Sequence, residues 1–285
     1  MYKKCTLFQT KYMKNKNSSM ILSLFFSLLL FFGQNLAVIL PKLCVFAENN
    51  GADLCYLAII IDDFGGYDRG GVEEMLQISV PLTCAVIPFS DNTKIDADRC
   101  VKAGHEVILH MPMESHVLLP ETWYGPVFIT NNENDNAAKN KLDKCLEELP
   151  MAKGANIHIG SGVSQNKELM KTIIGHLKSK DKYFCDSRTI LNTKCEEASQ
   201  DLGLPYLGRD VFLEPHGEKS YSSACKYLML AGQKAKERGY AIAIGHVGVE
   251  GGIQTAQAIK NMVPELRKMG VTIVPLSKIN NLISK

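Results

Sequence analysis

Two adjacent carboxylates, Asp62 and Asp63, directly follow the apolar run LAIII at positions 57–61. A short apolar run that ends at a Gly-rich turn is typical of a buried strand. Two like charges next to buried surface repel each other, and one of them would take up a proton unless a cation compensates. The pair therefore points to a bound cation or to acid–base chemistry at the end of this strand.

Five other predicted strands also end near polar side chains that are able to take part in chemistry. These side chains are His110 with Glu114 four residues later, His158, Asp186 with Arg188, Arg209 with Asp210, and His246. In a parallel barrel the carboxyl ends of the strands converge on one face, which is where barrel active sites lie. Asp63 and His110 supply a mixed oxygen and nitrogen ligand set of the kind that binds a zinc-like divalent ion. The third ligand is either Glu114 or His158.

Each of these residues also has an ordinary structural explanation. An Asp after a strand is often a turn or helix-capping residue, which applies to Asp186 and Asp210. The neighbouring Arg209 and Asp210 form a pair that would brace the mouth of a barrel. A single His at a strand end often has a structural role, and His105 precedes its strand and so is expected at the opposite end of the barrel.

The elements that must position these residues are short apolar strands alternating with amphipathic helices. The predicted strands cover residues 56–61, 82–87, 106–110, 155–159, 182–186, 205–208, 240–245 and 271–276. Strands that alternate with helices predict parallel pairing in an α/β fold. About eight such units in about 235 residues fit a distorted (β/α) barrel, one domain over residues 54–285, better than an open sheet.

One stretch between the elements, residues 116–136, contains Pro, Gly and Asn without a clear period. It predicts a long loop over the mouth of the barrel, and long loops in compact domains are often functional. Trp123 and Tyr124 in this loop either stack on the face of a sugar or pack the loop against the barrel.

The first 47 residues differ from the rest of the chain. They contain six lysines and no acid, an apolar run over residues 20–40, and the sequence VFA at 45–47. This order is typical of an export signal with a small residue before the cleavage site. An uncleaved membrane anchor is the alternative, since about 20 apolar residues are enough to span a bilayer. Either interpretation places the folded part outside the cytoplasmic membrane, with membrane contact only through this segment.

The charge of the remaining chain argues against a nucleic-acid-binding protein. Beyond residue 47 there are 26 basic and 30 acidic residues, whereas nucleic-acid binding requires a basic face. Seven cysteines remain after residue 47, with irregular spacing and no CxxC pair. A disulfide scaffold or a Cys-rich zinc site is therefore not expected, and most of these cysteines are expected to be small buried residues.

Several motifs in one order resemble the divergent polysaccharide deacetylases, relatives of the metal-dependent sugar deacetylases. The motifs are AIIIDDFG, AVIP, GHEVILHMPME, NIHIGS, FCDSRT, RDVFLE and AIAIGH, and the resemblance covers about residues 55–280. It implies a distorted (β/α) barrel that removes N- or O-acetyl groups from a polymeric or oligomeric sugar. It also implies a divalent metal cofactor, with Zn²⁺ expected.

The same resemblance assigns roles to individual residues. It implies that Asp62 is the catalytic base, that Asp63 is a metal ligand, and that His246 protonates the leaving group. His110 matches the first histidine of the second metal-binding motif, but Glu114 stands where the second histidine is expected, so His158 competes with it as the third ligand. Support of the substrate or the oxyanion is expected from Asp186, Arg188, Arg209, Asp210 and Trp123.

Three functions therefore fit the sequence. The first is a metal-dependent deacetylase that acts outside the cytoplasmic membrane on an acetylated cell-envelope glycan. The second is a glycosidase with paired carboxylates and no metal. The third is a non-catalytic glycan-binding or envelope protein on a deacetylase barrel. An acetylated poly- or oligosaccharide is the expected partner in the first case.

Overall fold

The apolar runs of the sequence become the strands of one parallel sheet in the computed structural model, which describes residues 55–284. The strands are β1 (Cys55–Phe64), β2 (Thr83–Val86), β3 (Glu106–Met113), β4 (Gly154–Ile159), β5 (Tyr183–Phe184), β6 (Val211–Phe212), β7 (Tyr240–His246) and β8 (Val271–Ile273). The export signal or anchor expected at residues 1–47 lies outside the described residues.

Helices follow most of the strands. They are α1 (Val72–Leu76), α2 (Thr93–Lys102), α3 (Asp135–Glu148), α4 (Lys167–Ser179), α5 (Cys195–Asp201), α6 (Tyr221–Arg238), α7 (Gly252–Lys268) and α8 (Leu276–Ile283). Within the described part of the chain, none of these helices combines the length and hydropathy needed to cross a membrane.

The sheet curls into a distorted barrel. Its strand order is β5-β4-β3-β2-β1-β7-β6, all pairs are parallel, and β8 lies beside the start of β1. The two outer strands are linked through a bridge between Asp186 and Gly208. There the Asp186 N–H donates to the Leu207 carbonyl at 2.9 Å, and the Arg209 N–H donates to the Asp186 carbonyl at 3.0 Å. The prediction of a distorted (β/α) barrel is confirmed.

The prediction of a strand at residues 205–208 is wrong in its position. The segment contributes only the bridge at Gly208, and the strand itself is β6, at Val211–Phe212. Pro205 has no N–H to donate to a neighbouring strand. The pairing with β7 begins when the Asp210 N–H donates to the Ile242 carbonyl at 2.8 Å. Arg209 and Asp210 therefore precede a strand rather than follow one.

Strand alternation divides the core into two layers. Leu57, Ile59 and Ile61 of β1 pack outward in the layer under the helices, whereas Ala58 and Ile60 pack in the interior of the barrel. All five side chains are fully buried. Six of the seven cysteines in the described residues are buried as well, as expected for small apolar side chains.

The loop that follows β1 is held by a buried carboxylate. Asp96 of α2 is fully buried and accepts hydrogen bonds from both terminal nitrogens of Arg69, at 2.9 and 2.6 Å, and from the Gly65 N–H at 2.9 Å. Gly65 has φ +83°, and a Cβ there would lie 3.0 Å from the Ile87 carbonyl oxygen, so the loop can run this close to β2 only at glycine. Asp96 thus fixes the chain directly after the two adjacent carboxylates.

Replacing Asp96 by Ala is expected to lower the free energy of unfolding by about 2–4 kcal/mol, because Arg69 and the Gly65 N–H lose their acceptor in a buried site. Urea denaturation measures this change. Asp98→Ala on the exposed face of the same helix is the matched control and should change it by less than about 0.5 kcal/mol. Equal effects of the two substitutions would contradict the role given to Asp96.

Candidate active site

The inward-facing positions of four strands become polar at the mouth of the barrel. Ile60, Ile108 and Ile244 lie in the interior layer, and side chains alternate along a strand. The next inward positions after them are therefore Asp62 on β1, His110 on β3 and His246 on β7. The register places Asp62 opposite His246, and His110 opposite Asn156 of β4. The alternation that builds the apolar core thus also delivers the polar groups to one place.

Asp63 reaches the same place because the backbone departs from regular strand geometry. The pairing of β1 with β2 shifts register between Ile61 and Phe64, as in a β-bulge. Asp63 itself has φ +70°, in the left-handed region, which is uncommon for residues other than Gly but tolerated best by Asn and Asp. In a regular strand its side chain would point away from that of Asp62. At this bulge both carboxylates face the site.

Asp63, His110 and His158 form a group whose ligand atoms all lie within 4.8 Å of one another. Asp63 Oδ1 is 3.3 Å from His110 Nε2 and 3.2 Å from His158 Nδ1. Neither contact has the direction of a hydrogen bond, so Asp63 Oδ1 is a buried oxygen without a hydrogen-bond partner among the described residues. Such an atom is costly to bury unless something else binds it.

The outer nitrogens of both histidines are engaged elsewhere. His110 Nδ1 lies 2.7 Å from the side-chain oxygen of Asn156, and His158 Nε2 lies 3.1 Å from the carbonyl oxygen of Trp123. Since these oxygens only accept, each of the two nitrogens carries the proton. The nitrogens that face Asp63 then present lone pairs, which is the second-shell arrangement typical of metal-binding histidines. One carboxylate and two imidazoles in this state suit a Zn²⁺-like ion.

The electrostatics of the group agree with a site built for a cation. Burial acts to raise the pKa of Asp63, but attraction to His110 and His158 outweighs it and holds the pKa of this carboxyl well below its usual range. Burial acts to lower the pKa of His110, yet Asp62 and Asp63 raise it overall. Asp62 and Asp63 therefore favour positive charge at His110.

Asp62 lies beside this group without being part of it. Its side chain is only 2% exposed, and Asp62 Oδ1 accepts a hydrogen bond of 2.7 Å from the side-chain nitrogen of Asn156. Asp62 Oδ2 lies 3.9 Å from His246 Nε2. Asn156 thus orients two groups at once, because its oxygen accepts from His110 while its nitrogen donates to Asp62.

A buried glutamate holds His246 through Nδ1, the ring nitrogen that does not face Asp62. Glu214 is 2% exposed; its Oε2 lies 3.2 Å from His246 Nδ1, and its Oε1 accepts from the Thr255 hydroxyl at 2.5 Å. Burial acts to lower the pKa of His246, but Glu214, Asp62 and Asp63 raise it to about 9. The imidazolium form therefore dominates at neutral pH in the metal-free protein, with its Nε2 proton directed toward Asp62.

Glu114 lies apart from the metal-binding group. Its Oε2 accepts from the Asn131 N–H at 2.6 Å, and it lines a separate groove with Asn131 and Asn166. Four residues span about 13 Å along a strand, whereas on a helix they are neighbours. Since β3 remains a strand to Met113, His110 and Glu114 do not converge. Of the two alternatives for the third ligand, the geometry brings only His158 to Asp63 and His110.

The residues predicted to support the substrate have different surroundings. Arg188 and Arg209 line the cavity that contains Asp62, Asp63 and His246. Asp186 is buried; its Oδ1 accepts from the Arg188 N–H at 2.8 Å and its Oδ2 from the Tyr206 hydroxyl at 2.8 Å. Asp186 therefore holds the loop that carries Arg188, and burial raises the pKa of Asp186.

Asp210 is directed to the outside of the barrel. Its Oδ2 accepts from Arg238 at 2.5 Å and from the Ile242 N–H at 2.9 Å. The carboxylate of Asp210 thus braces β7 and the end of α6, which is the bracing role considered for it from the sequence, although its partner is Arg238 rather than Arg209.

Trp123 lies in the long loop over the mouth, where residues Glu121–Trp123 form one 3₁₀ turn. Its indole is 60% exposed and borders a groove next to Asp63 and His158, together with the exposed Tyr67. Tyr124, in contrast, is buried and stacks on Phe128, with ring centroids 4.7 Å apart. The two alternatives for this loop therefore divide between its aromatic residues: Tyr124 packs the loop down, and Trp123 stays accessible.

Two residues of the site, Asn156 and Glu214, were missed by the sequence reasoning. Asn156 precedes His158 by two residues in ANIHI, so the alternation of β4 already places both on one face. This signal was available. Glu214 follows β6 in the motif RDVFLE, and its contact with His246 depends on packing between segments 32 residues apart. No local pattern would have identified it.

The family model of the divergent polysaccharide deacetylases matches residues 59–280, which include every residue of this site. The chain belongs to the divergent polysaccharide deacetylase family. The resemblance seen in the motifs is thereby confirmed.

The relatives of this deacetylase-family chain include two bacterial proteins. Uncharacterized protein YibQ of Escherichia coli (strain K12) is 29% identical over 233 residues, which are 79% of this chain and 67% of that protein. An uncharacterized protein of Haemophilus influenzae (strain ATCC 51907 / DSM 11121 / KW20 / Rd) is 28% identical over 196 residues, 67% of this chain and 66% of that protein. The chain thus spans about two thirds of the length of these relatives.

A solved structure shares the fold. Uncharacterized protein ATU2773 from Agrobacterium tumefaciens C58 superposes with a TM-score of 0.68 at 18% sequence identity, over 80% of this chain and 90% of that one. At this identity the likeness is one of fold.

Titration of the metal-free protein with Zn²⁺ is expected to show one site per chain. Asp63→Ala and His158→Ala should each weaken binding by at least about 100-fold, since loss of a second-shell residue alone costs 10–100-fold. Glu114→Gln is the matched control, because Glu114 lies outside the group, and it should bind Zn²⁺ like the parent protein. Calorimetry measures the affinity. Retained binding in His158→Ala with loss in Glu114→Gln would reverse the choice of third ligand.

NMR titration of the metal-free protein is expected to give His246 a pKa of about 9. Because this folded-state pKa is raised above the usual value of about 6.5, the associated stability is fully present below that value and is lost as the pH rises through about 9. Glu214→Gln removes the main favourable partner and should lower the pKa. Glu250→Gln, which removes a carboxylate paired with Lys219, should change it much less. A parent pKa near 6.5 would contradict the role of Glu214.

Proposed function

We propose that the chain is a metal-dependent carbohydrate deacetylase that removes N- or O-acetyl groups from a cell-envelope glycan. One observation carries the proposal: the buried Asp63 Oδ1, which has no hydrogen-bond partner within residues 55–284, converges with lone pairs of His110 and His158. It does so directly beside a buried Asp62 that faces His246. A ligand group, a base and an acid in one cavity are the parts that acetyl hydrolysis needs. Membership of a deacetylase family supports the same reaction.

Asp63, His110 and His158 are the residues that would hold the ion, with Zn²⁺ favoured by the donor set. A divalent ion bound there supplies Lewis acidity, which polarises a carbonyl and lowers the pKa of water toward about 7. Asn156 and the Trp123 carbonyl keep both imidazoles in the tautomer that leaves the inner nitrogens free for it.

Asp62 is the general base in this proposal. Its Oδ1 is occupied by the Asn156 N–H, so Oδ2 is the oxygen that accepts a proton from the attacking water. The water oxygen then forms a bond to the acetyl carbon. Because Asn156 and the strand register fix the carboxylate, little reorganisation is needed when the proton moves.

His246 is the general acid. Its Nδ1 proton is held by Glu214, so Nε2 is the atom that donates to the departing sugar nitrogen or oxygen as the bond to the acetyl carbon breaks. The products are acetate and the free amine or hydroxyl. Asp62 Oδ2 and His246 Nε2 are 3.9 Å apart, and return of the proton from the base to the acid resets the site.

Action outside the cytoplasmic membrane stays a prediction from residues 1–47. The glycosidase and the non-catalytic glycan-binding protein are the outcomes that the following experiment separates from deacetylation.

The Zn²⁺-loaded protein is expected to release acetate from acetylated chitooligosaccharides, and a chelator should stop the reaction. Asp62→Asn should lower kcat by more than about 100-fold, in the range found for loss of a general base, while Zn²⁺ binding persists. His246→Gln should be impaired on sugar substrates but much less on an aryl acetate, whose leaving group needs no proton.

Two results would contradict deacetylation, and a third would contradict the role given to His246. Cleavage of glycosidic bonds that a chelator does not affect would favour a glycosidase. Glycan binding without acetate release, unchanged by Asp62→Asn, would favour a binding protein. Equal losses on both substrates for His246→Gln would remove the role of general acid.

A further inference from the structure

Two arginines line the candidate active site without forming an ion pair among the described residues. Arg188 and Arg209 share a cavity of about 350 Å³ with Asp62, Asp63 and His246. Within the described residues, none of the ion pairs includes either arginine. A cation in the wall of a partly buried cavity is costly to keep unless an anion compensates it. This cost applies to Arg209, which is half-buried, whereas Arg188 is exposed. Burial accordingly lowers the pKa of Arg209.

Both guanidinium groups are held in place by neutral groups. Arg209 donates from Nε to the Ser187 carbonyl at 2.7 Å and from Nη2 to the Arg188 carbonyl at 2.8 Å. Arg188 donates from Nε to the Tyr206 hydroxyl at 3.0 Å and from Nη1 to the Arg209 carbonyl at 3.1 Å. Arg188 also has φ +49°, a strained backbone for a residue of this size. The pair is therefore fixed before any ligand arrives.

The nearby acids are engaged in other contacts. Asp186 accepts from the Arg188 backbone and from the Tyr206 hydroxyl, and Asp210 accepts from Arg238 and the Ile242 N–H. Neither carboxylate forms an ion pair with the side chains of Arg188 or Arg209. The positive charge of the two guanidinium groups thus remains available to a ligand.

The position of the arginines places that ligand on the sugar side of the reaction. The guanidinium of Arg209 stacks on the Phe212 ring at 4.8 Å, and the same ring lies edge-to-face with His246 at 5.2 Å. In the proposed reaction His246 protonates the atom that belongs to the sugar. The metal-binding group lies on β1, β3 and β4, whereas the arginines flank the bridge between β5 and β6. The arginines are thus next to the leaving group rather than to the acetyl group.

The other side of the mouth has the opposite charge. The groove beside Trp123 and Tyr67 is lined by Asp68 and Asp91, and has a volume of about 820 Å³. Glu250, which pairs with Lys219, lines both this groove and the arginine cavity. An anionic substituent is disfavoured there and favoured beside the arginines. The difference in charge between the two sides fixes the direction in which an acidic chain would lie.

We propose that Arg188 and Arg209 bind a carboxylate of the substrate, so that the glycan is an acidic acetylated sugar with its carboxylate on or next to the residue that is deacetylated. This inference rests on the proposed function for the identity of the ligand as a sugar. The planar fork of a guanidinium matches a carboxylate in two parallel hydrogen bonds, which gives selectivity against a neutral sugar of the same shape.

The test compares one acetylated oligosaccharide that carries carboxylates with the same molecule after reduction of its carboxylates to alcohols. Calorimetry uses the Zn²⁺-loaded Asp62→Asn protein as the parent, because it should bind the sugar with turnover suppressed. It is expected to show at least about tenfold tighter binding of the acid, as one or two hydrogen bonds to a charged group would give. In Arg188→Gln and Arg209→Gln this ratio of affinities should fall toward one, and Arg209→Lys should keep part of it.

Arg99→Gln is the matched control, because Arg99 carries the same charge on the outside of the barrel, where it pairs with Glu73. It should keep the parent ratio, and thermal melting of each variant checks that it is folded. A parent ratio near one, or a ratio unchanged in folded Arg209→Gln, would overturn the proposal.

Binding is measured without turnover, so the two proposals fail separately. Preference for the acid without acetate release would leave the carboxylate site standing and remove the deacetylase. Acetate release without a preference for the acid would leave the deacetylase standing and remove the carboxylate site. Two arms locate the carboxylate: an oligomer with a ring carboxylate, as in uronic acids, and one with a carboxylate on an ether-linked lactyl group. The oligomer that shows the larger arginine-dependent ratio identifies the source.

Discussion

The site depends on the backbone at Asp63. Regular alternation would send the side chains of Asp62 and Asp63 to opposite faces of β1, and only one would reach the mouth of the barrel. The shifted register and the positive φ of Asp63 turn both carboxylates into the site. The strain of this conformation is small for Asp, and the loop behind it is held by the buried Asp96. The backbone at Asp63 is therefore what brings the charges of Asp62 and Asp63 together in the site.

Once both carboxylates are present, their partners divide them into two roles. Asp63 lies against two histidine lone pairs, and its Oδ1 has no hydrogen bond from any described residue, so it is suited to a cation. Asp62 is buried one position earlier, receives the Asn156 N–H and faces His246, so it is suited to proton transfer. Environment, not residue type, separates a ligand from a base.

The residues around Asp62, His110 and His246 also set the roles for which these side chains are suited. Asn156 links His110 of the candidate metal-binding group to Asp62, and Glu214 raises the pKa of His246 and holds its ring. Farther out, Arg188 and Arg209 line the cavity and form no ion pair with the described part of the chain. In the proposed function, the charge on the wall of the cavity would select among sugars, whereas the polar groups at the strand ends would act on the acetyl group.

The sequence by itself determined the class of fold and most of the residues at the mouth, because strand alternation and strand ends are local properties. Asp62, Asp63, His110 and His246 all follow from reading where apolar strands stop. The choice of His158 over Glu114, the roles of Asn156 and Glu214, and the outward turn of Asp210 came only from the tertiary structure. Those features depend on the register between strands, on one β-bulge and on packing between segments far apart in the chain, and such distances are not encoded in local spacing.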